Sequence, residues 1–299
     1  MAVLNTLEVQ WVRLPLRVPL GGRVARDALL LEGPAGWGEF SPFPGYPCDP
    51  VMAWQAMRAA AALPWPPPVR SGVAVNALVP ATGPVEAGRL AAGAAAAGMR
   101  CVKVKVGGGP LPADLDRVAA VREALGPAGM IRLDANGAWS REEAEVAIGK
   151  LAGHDLELVE QPVATLDDLA WLRRRVRVPL AADECIRSLE DARRLAALDA
   201  ADAVVLKVQP LGGVWPAVAV AEAARVPAIV TSMYETSVGL AAGLALAACL
   251  PELPYACGLG TGALLAADVV ADPLVPVDGM LTVRRPVPDA ALLERYRQP

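Results

Sequence analysis

Two hydrophobic rhythms divide the chain. Over the first 70 residues apolar and polar positions alternate, in Glu8-Val9-Gln10-Trp11-Val12 and again in Asp27-Ala28-Leu29-Leu30-Leu31, which predicts antiparallel strands. A turn-rich segment over 36–46 follows, then a helical stretch over 50–63, and the proline run at 64–68 reads as the end of a module. Residues 1–70 are therefore expected to form a small α+β unit.

From Gly72 the rhythm changes to short β-branched runs separated by alanine-rich helical stretches. The runs fall at 73–78, 101–106, 130–133, 156–159, 179–182, 203–206, 228–230 and 254–257. The helices between them are expected at 84–97, 114–125, 140–152, 165–176, 189–198, 213–225 and 236–249. Eight strands alternating with helices imply a parallel sheet. At this count and length a closed TIM-like α/β barrel is preferred to an open sheet.

Polar residues close the successive strands: Lys105, Asp134, Glu160, Asp183, Lys207 and Ser232, spaced 29, 26, 23, 24 and 25 residues apart, about one βα unit each. In a barrel those strand ends meet at one mouth, where catalysis sits. Three carboxylates converging there repel one another unless a cation joins them. Oxygen-only ligation favours a hard ion, so Mg²⁺ is expected, with Mn²⁺ as the alternative. Taken singly, each acid would also suit a helix N-cap; three at consecutive strand ends favour the metal site.

The 28 basic residues include only four lysines, Lys103, Lys105, Lys150 and Lys207, and three of these fall in or at the end of barrel strands. Arginine keeps its proton near neutral pH, whereas lysine can be tuned to release it. Lys103 and Lys105 stand two apart and share a face, with their valine neighbours turned the other way, toward the helices. A solvated edge strand would not carry those valines. Lys207, on the sixth strand, faces the second across an eight-stranded ring. A metal between lysines on two sides suits removal of a proton α to a carboxylate.

With these motifs in place, Lys-x-Lys (103–105), Asp-Ala-Asn-Gly-x-Trp (134–139), Val-Glu-Gln-Pro (159–162), Ala-Asp-Glu (182–184) and Lys207, the chain resembles the muconate-lactonizing subgroup of the enolase superfamily. Gly-Trp-Gly-Glu-x-Ser-Pro (36–42) is similar to that family's capping domain. The resemblance implies a (β/α)7β barrel over 71–274 and an N-terminal α+β capping domain, 1–70, joined by the C-terminal segment 275–299. The short chain and abbreviated cap are similar to the subgroup's dehydratases of menaquinone biosynthesis. This implies dehydration of 2-succinyl-6-hydroxy-2,4-cyclohexadiene-1-carboxylate to 2-succinylbenzoate, with Lys105 as the base, Lys207 as a protonated electrostatic partner and Lys103 tuning Lys105. The segments that close the last two strands would bind the succinyl tail through Ser232, Met233, Gly258, Gly260 and Thr261, although turn formation accounts for those glycines equally well. Gly22 and Arg23, in the loop Gly21-Gly22-Arg23, resemble a lid over the mouth; a plain hairpin turn is the other reading. An N-succinylamino-acid racemase or dipeptide epimerase stays open, since lysines on two faces serve racemisation as well. A non-catalytic metal- or ligand-binding barrel is disfavoured because no lysine or carboxylate of the set is lost. His154 lies between a helix and a strand and reads as a loop residue.

Composition adds a few bounds. At 54% hydrophobic residues there is material for a large core, and a net charge of −4 without long runs of one sign argues against nucleic acid or an anionic membrane as partners. Residues 1–20 carry no secretory pattern, and the apolar stretch 237–250 is shorter than the ~20 residues of a membrane span. Five scattered cysteines without C-x-x-C spacing suit reduced thiols in the cytoplasm. A small-molecule carboxylate is the expected partner; the oligomeric state stays open, with a monomer as the simplest case.

Overall fold

The structure, a computed structural model, describes residues 8–20 and 22–299. Residues 1–7 and Gly21 of the expected lid loop lie outside the described residues.

Three antiparallel strands open the chain: β1 (Val9–Leu20), β2 (Arg23–Gly33) and β3 (Gly36–Phe40). Helix α1 (Pro50–Ala62) follows, its first turn capped by Asp49, whose Oδ1 accepts from the Val51 amide at 2.9 Å. It packs so tightly on β3 that a Cβ at Gly38 would fall 2.0 Å from the Met57 carbonyl oxygen. Only glycine allows this approach.

The barrel is laid out as β4 (Gly72–Ala74), β5 (Ala77–Val79), α2 (Pro84–Ala96), β6 (Cys101–Lys105), α3 (Leu111–Leu125), β7 (Met130–Asp134) and α4 (Arg141–Leu151). It continues with β8 (Leu156–Glu160), α5 (Leu166–Arg173), β9 (Leu180–Ala182), α6 (Leu189–Leu198), β10 (Ala203–Leu206), α7 (Val214–Ala224), β11 (Ala228–Val230) and α8 (Ser237–Cys249). Strands β5 to β11 form one parallel sheet in sequence order. Single parallel bridges from Cys257 to Val75 and from Gly258 to Thr231 join its two edges. The sheet is thereby curled into the (β/α)7β barrel.

Three expectations need correction. The run 73–78 is not one strand: β4 turns away to pair antiparallel with β12 (Met280–Thr282), and only β5 joins the barrel. The run 254–257 is reduced to the two bridges, because Pro251 and Pro254 interrupt that segment and cannot donate to a ladder. Helix α3 begins at Leu111, three residues early, since Pro112 in its first turn needs no amide partner. The chain ends in α9 (Ala290–Tyr296), which packs on β1; the Gln298 amide donates to the Trp11 carbonyl at 2.8 Å.

Strand alternation sorts the core. Val102, Val104, Ile131, Leu133 and Val159 face outward into one large cluster with helix residues such as Ala91, Val118 and Ile148. The inward positions behind the mouth hold a small apolar cluster of Leu158, Ala181, Ala203, Val205 and Ile229. Beside it Arg132, 1% exposed, pairs with Glu157, donates to the Ala256 carbonyl at 2.6 Å and lies over the Tyr255 ring. Glu157 reaches this arginine because the β7–β8 register slips by one residue beside it, as a bulge does. Among the described residues no helix is long and apolar enough to cross a membrane.

The N-terminal sheet is fastened to the barrel beside α8. Buried Glu39 accepts from the Ser41 and Thr236 hydroxyls, both at 2.5 Å, and from the Gly239 amide at 2.9 Å. Arg26 donates to the carbonyls of Ser41, Pro42, Met233 and Tyr234. Burial pushes the Glu39 carboxyl up to about 7, against the pull of the two hydroxyls. An acid raised in the folded state keeps a proton that the unfolded chain has already lost, so its contribution to stability falls as pH rises from the ordinary carboxylate range toward 7. Glu39→Gln is expected to flatten the decline of stability between about pH 5 and 7, by at most about 1.4 kcal/mol of unfolding free energy per pH unit, and with it the decline of Tm. Thermal unfolding of both proteins across that range measures it; parallel curves would contradict the assignment.

Candidate active site

The site grows from parallel register. Lys103 pairs with Arg132, Lys105 with Asp134, and Asp134 with Glu160, so residues at one level of neighbouring strands project into the barrel together. Asp183 follows β9 directly and Lys207 follows β10. Asp134 and Glu160 are each 1% exposed and Asp183 is 2% exposed. The six side chains meet at one end of the barrel.

Each acid is met by a lysine. Lys103 Nζ lies 2.7 Å from Glu160 Oε1 and 2.9 Å from Asp134 Oδ2. Lys105 Nζ donates to Asp134 Oδ2 at 2.7 Å and to Asn136 Oδ1 at 2.6 Å. Lys207 Nζ reaches both oxygens of Asp183, at 2.5 and 2.6 Å. Burial works to strip the proton from Lys103 and Lys207. The carboxylates of Asp134 and Glu160 outweigh it at the first and that of Asp183 at the second, so both ammonium groups are held charged. Burial also works to raise Asp134, but Lys103 and Lys105 hold it below the usual carboxylate range. Glu160 goes the other way: burial, and then the charge of Asp134, push it up to about 7.

The lysines differ in access. The side chain of Lys105 is 30% exposed, against 13% for Lys103 and 9% for Lys207. All three line a cavity of about 710 Å³ at the barrel mouth, together with Asp134 and Asp183. That volume suits a small organic ligand.

Ser232, Met233, Gly258, Gly260 and Thr261 all line the same cavity. Ser232 Oγ donates to the Gly258 carbonyl at 2.7 Å and sits 2.8 Å from Thr261 Oγ1, so it ties the last two loops together. A Cβ on Gly258 would fall 2.8 Å from Thr231 Cγ2, a packing reason for that glycine. Gly22 and Arg23 do not line this cavity. Arg23 borders a smaller neighbouring one of about 220 Å³, divided from the first by Phe43, Pro44 and Tyr234, which line both.

Sequence reasoning passed over Tyr46, Asn136 and Glu184. Tyr46 OH donates to Asp183 Oδ1 at 2.9 Å while its ring lies 4.4 Å from Lys207 Nζ. It comes from the turn-rich segment after β3, and nothing in the one-dimensional pattern says that this segment reaches the mouth. Asn136 Nδ2 donates to Glu184 Oε1 at 2.8 Å. Both residues sit inside motifs already noted, two residues past Asp134 and next to Asp183. Gln161, also in a noted motif, accepts from the Asp183 amide at 2.7 Å and so fixes that strand end.

The donor set suits a divalent cation by its chemistry: three buried carboxylates, oxygen only, on consecutive strands, one of them raised toward neutrality by burial and then by its neighbour's charge. Among the described residues no three His, Cys, Asp or Glu side chains are grouped to hold an ion as they stand, each acid being turned onto a lysine. Joint ligation would turn the carboxylates off those lysines.

Known proteins bear on this geometry. Residues 86–290 match the family described as enolase C-terminal domain-like, and residues 11–62 the one described as enolase N-terminal domain-like. The chain is 55% identical over 275 residues to the o-succinylbenzoate synthase of Thermobifida fusca (strain YX), covering 91% of this chain and 86% of that protein. It is 48% identical over 284 residues to the o-succinylbenzoate synthase of Mycobacterium marinum (strain ATCC BAA-535 / M), covering 94% of this chain and 86% of that one. The fold matches that of a muconate lactonizing enzyme from Pseudomonas fluorescens, solved with muconolactone, at a TM-score of 0.87 and 21% identity over 98% of each chain.

Proposed function

This chain belongs to the enolase superfamily and, within it, to the o-succinylbenzoate synthase family, and from that membership we propose that it dehydrates 2-succinyl-6-hydroxy-2,4-cyclohexadiene-1-carboxylate to 2-succinylbenzoate, a step of menaquinone biosynthesis. The observation that carries the reading is a cavity walled by three lysines and two of the three buried carboxylates, with one lysine more open than the others.

Lys105, as the neutral amine, takes the proton from C1. The C–H bond breaks, an N–H bond forms, and the electron pair moves into the carboxylate as an enediolate. The pair then returns to the ring and the C6–O bond breaks. The hydroxyl leaves as water with the proton that Lys105 had taken, and the ring becomes aromatic, which drives the step forward. Lys207 keeps its proton throughout and offsets the negative charge of the intermediate; its place in the cavity wall and its low exposure support that role. Lys103 stands on the same strand face as Lys105, lines the same cavity and can contact the substrate carboxylate. Asp134, Glu160 and Asp183 would hold a divalent cation, Mg²⁺ by preference, which supplies positive charge to the oxygens of the enediolate. Ser232, Met233, Gly258, Gly260 and Thr261 shape the wall for the succinyl tail. Residues 71–274 make the catalytic barrel, and 1–70 with 275–299 the cap. The five cysteines are all free thiols, which suits a cytoplasmic enzyme.

Tyr46 supports Lys207 and Asp183 from outside the barrel. Tyr46→Phe keeps the ring under the ammonium and removes the donor, so kcat/KM is expected to fall about tenfold, the scale of a hydrogen bond to a charged group. Steady-state kinetics measure it; an unchanged kcat/KM would remove Tyr46 from the site. The reaction itself is tested by following loss of the diene in the presence of Mg²⁺. Turnover in the ordinary enzymatic range of about 1–10³ s⁻¹ is expected, and an unreacted diene would overturn the proposal.

A further inference from the structure

We propose that the stacked rings of Phe43 and Tyr234 are an end stop of the mouth cavity, confining the ligand to a tail of succinyl length and shutting out apolar extensions of it. The inference rests on the reading of the mouth as the site of a succinyl-bearing carboxylate. Phe43 comes from the segment after β3 and Tyr234 from the loop after β11. Their ring centroids lie 5.7 Å apart with 23° between the planes, a stacked pair. Both line the mouth cavity of about 710 Å³ and the neighbouring one of about 220 Å³, so the pair stands between them. Tyr234 directly follows Ser232 and Met233 of the tail wall, and a tail lengthened along that wall meets the rings next.

The space behind the stack suits an apolar group. Trp11, Leu16 and Phe40 line it. Its charged groups are engaged or wet: Asp27 is paired with Arg13, and Arg23 is exposed. Arg26, 8% exposed, spends all three nitrogens on backbone. Nε donates to the Tyr234 carbonyl at 3.2 Å, Nη1 to that of Pro42 at 3.3 Å, and Nη2 to that of Met233 at 3.3 Å and to that of Ser41. The same four bonds hold both halves of the stop, since residues 41–42 lead into Phe43 and 233–234 end on Tyr234. The guanidinium carbon of Arg26 also lies 5.6 Å from the Phe43 ring centroid. Pro42 and Pro44 flank Phe43 and restrict its backbone. Tyr234 has φ 63°, a left-handed conformation that a bulky residue keeps only where its surroundings over-determine it. Here the Arg26 bond to its carbonyl and the stack on Phe43 do so.

The test is titration calorimetry on the full chain in Mg²⁺, with thermal melts as the control for folding. The two probes are 2-succinylbenzoate and the benzylamide of its succinyl carboxyl. Tyr234→Gly deletes one ring, suits the left-handed backbone and keeps the carbonyl that Arg26 holds. Phe43→Ala deletes the other. In both variants the affinity ratio is expected to shift toward the benzylamide by about tenfold or more, the scale of burying one aromatic side chain. Because the shift is read between proteins, the charge lost in the amide cancels. Tyr234→Phe keeps the ring and should stay within about twofold of the parent ratio. Arg26→Lys leaves three N–H groups for four carbonyls and should shift the ratio the same way by about threefold with both rings in place; an unshifted ratio would remove Arg26 from the stop. A parent that binds both probes equally, or ring-deleted variants that keep the parent ratio, would overturn the end stop and leave the reading of the mouth standing. A parent that binds neither probe would overturn both.

Discussion

Lys105→Ala is expected to lower kcat by about 10⁴-fold, the upper end of what a positioned acid–base group supplies, because the same amine serves both proton abstraction and departure of the hydroxyl. The variant should keep its fold. Lys105 is the most exposed of the three mouth lysines, and Asp134 retains Lys103 at 2.9 Å when it is gone. Lys105→Arg separates base from charge. It preserves the cation beside Asp134, yet arginine does not release its proton near neutral pH, so the loss should be as deep as with alanine. Single-turnover dehydration, with a thermal melt as control, checks both. Recovery of activity in the arginine variant would show that positive charge alone is what the position provides.

Removal of divalent cations is expected to have the second largest effect, a loss of about 10³-fold reversed by adding Mg²⁺, the scale set by removing one strong electrostatic contact from a developing oxyanion. The acids of the mouth give the reason. Asp134, Glu160 and Asp183 are nearly inaccessible, and Glu160 is pushed up to about 7 by burial and by Asp134, so the group lacks compensation by the lysines alone. A bound divalent ion would favour the ionised form of all three and raise thermal stability by mass action. Asp183→Asn should abolish the Mg²⁺-dependent rise in Tm together with the activity. Full activity after exhaustive chelation would remove the metal from the account.

Much of this site was legible because strand alternation and βα spacing are strict rules. The two-residue step from Lys103 to Lys105 put both on one face, and the structure has them pointing inward with Val102 and Val104 packed on helices. The same step places Arg132 beneath Asp134, yet no sequence rule announced an arginine inside the barrel. Its partner Glu157 depends on a register slip between β7 and β8 that has no residue signature. Tyr46 was hidden for a different reason. It sits in an irregular segment where no period applies, and only tertiary packing brings its hydroxyl to Asp183. The last strand of the barrel was over-read, since the 254–257 run is apolar enough for a strand while its prolines leave room for only two bridges. Glu39 belongs to a motif that was noted, but its clasp on Thr236 and Gly239 needed coordinates to be seen.

The central claim is that the mouth lysines carry out dehydration rather than proton exchange between two faces of a carbon, and one paired assay tests it. The same Mg²⁺-loaded preparation is given 2-succinyl-6-hydroxy-2,4-cyclohexadiene-1-carboxylate in one arm and N-succinylamino acids in deuterated water in the other. The account predicts that kcat/KM for dehydration exceeds that for racemisation by at least about 10²-fold, a difference of about 2.7 kcal/mol in transition-state binding. Fast racemisation with an untouched diene would contradict it.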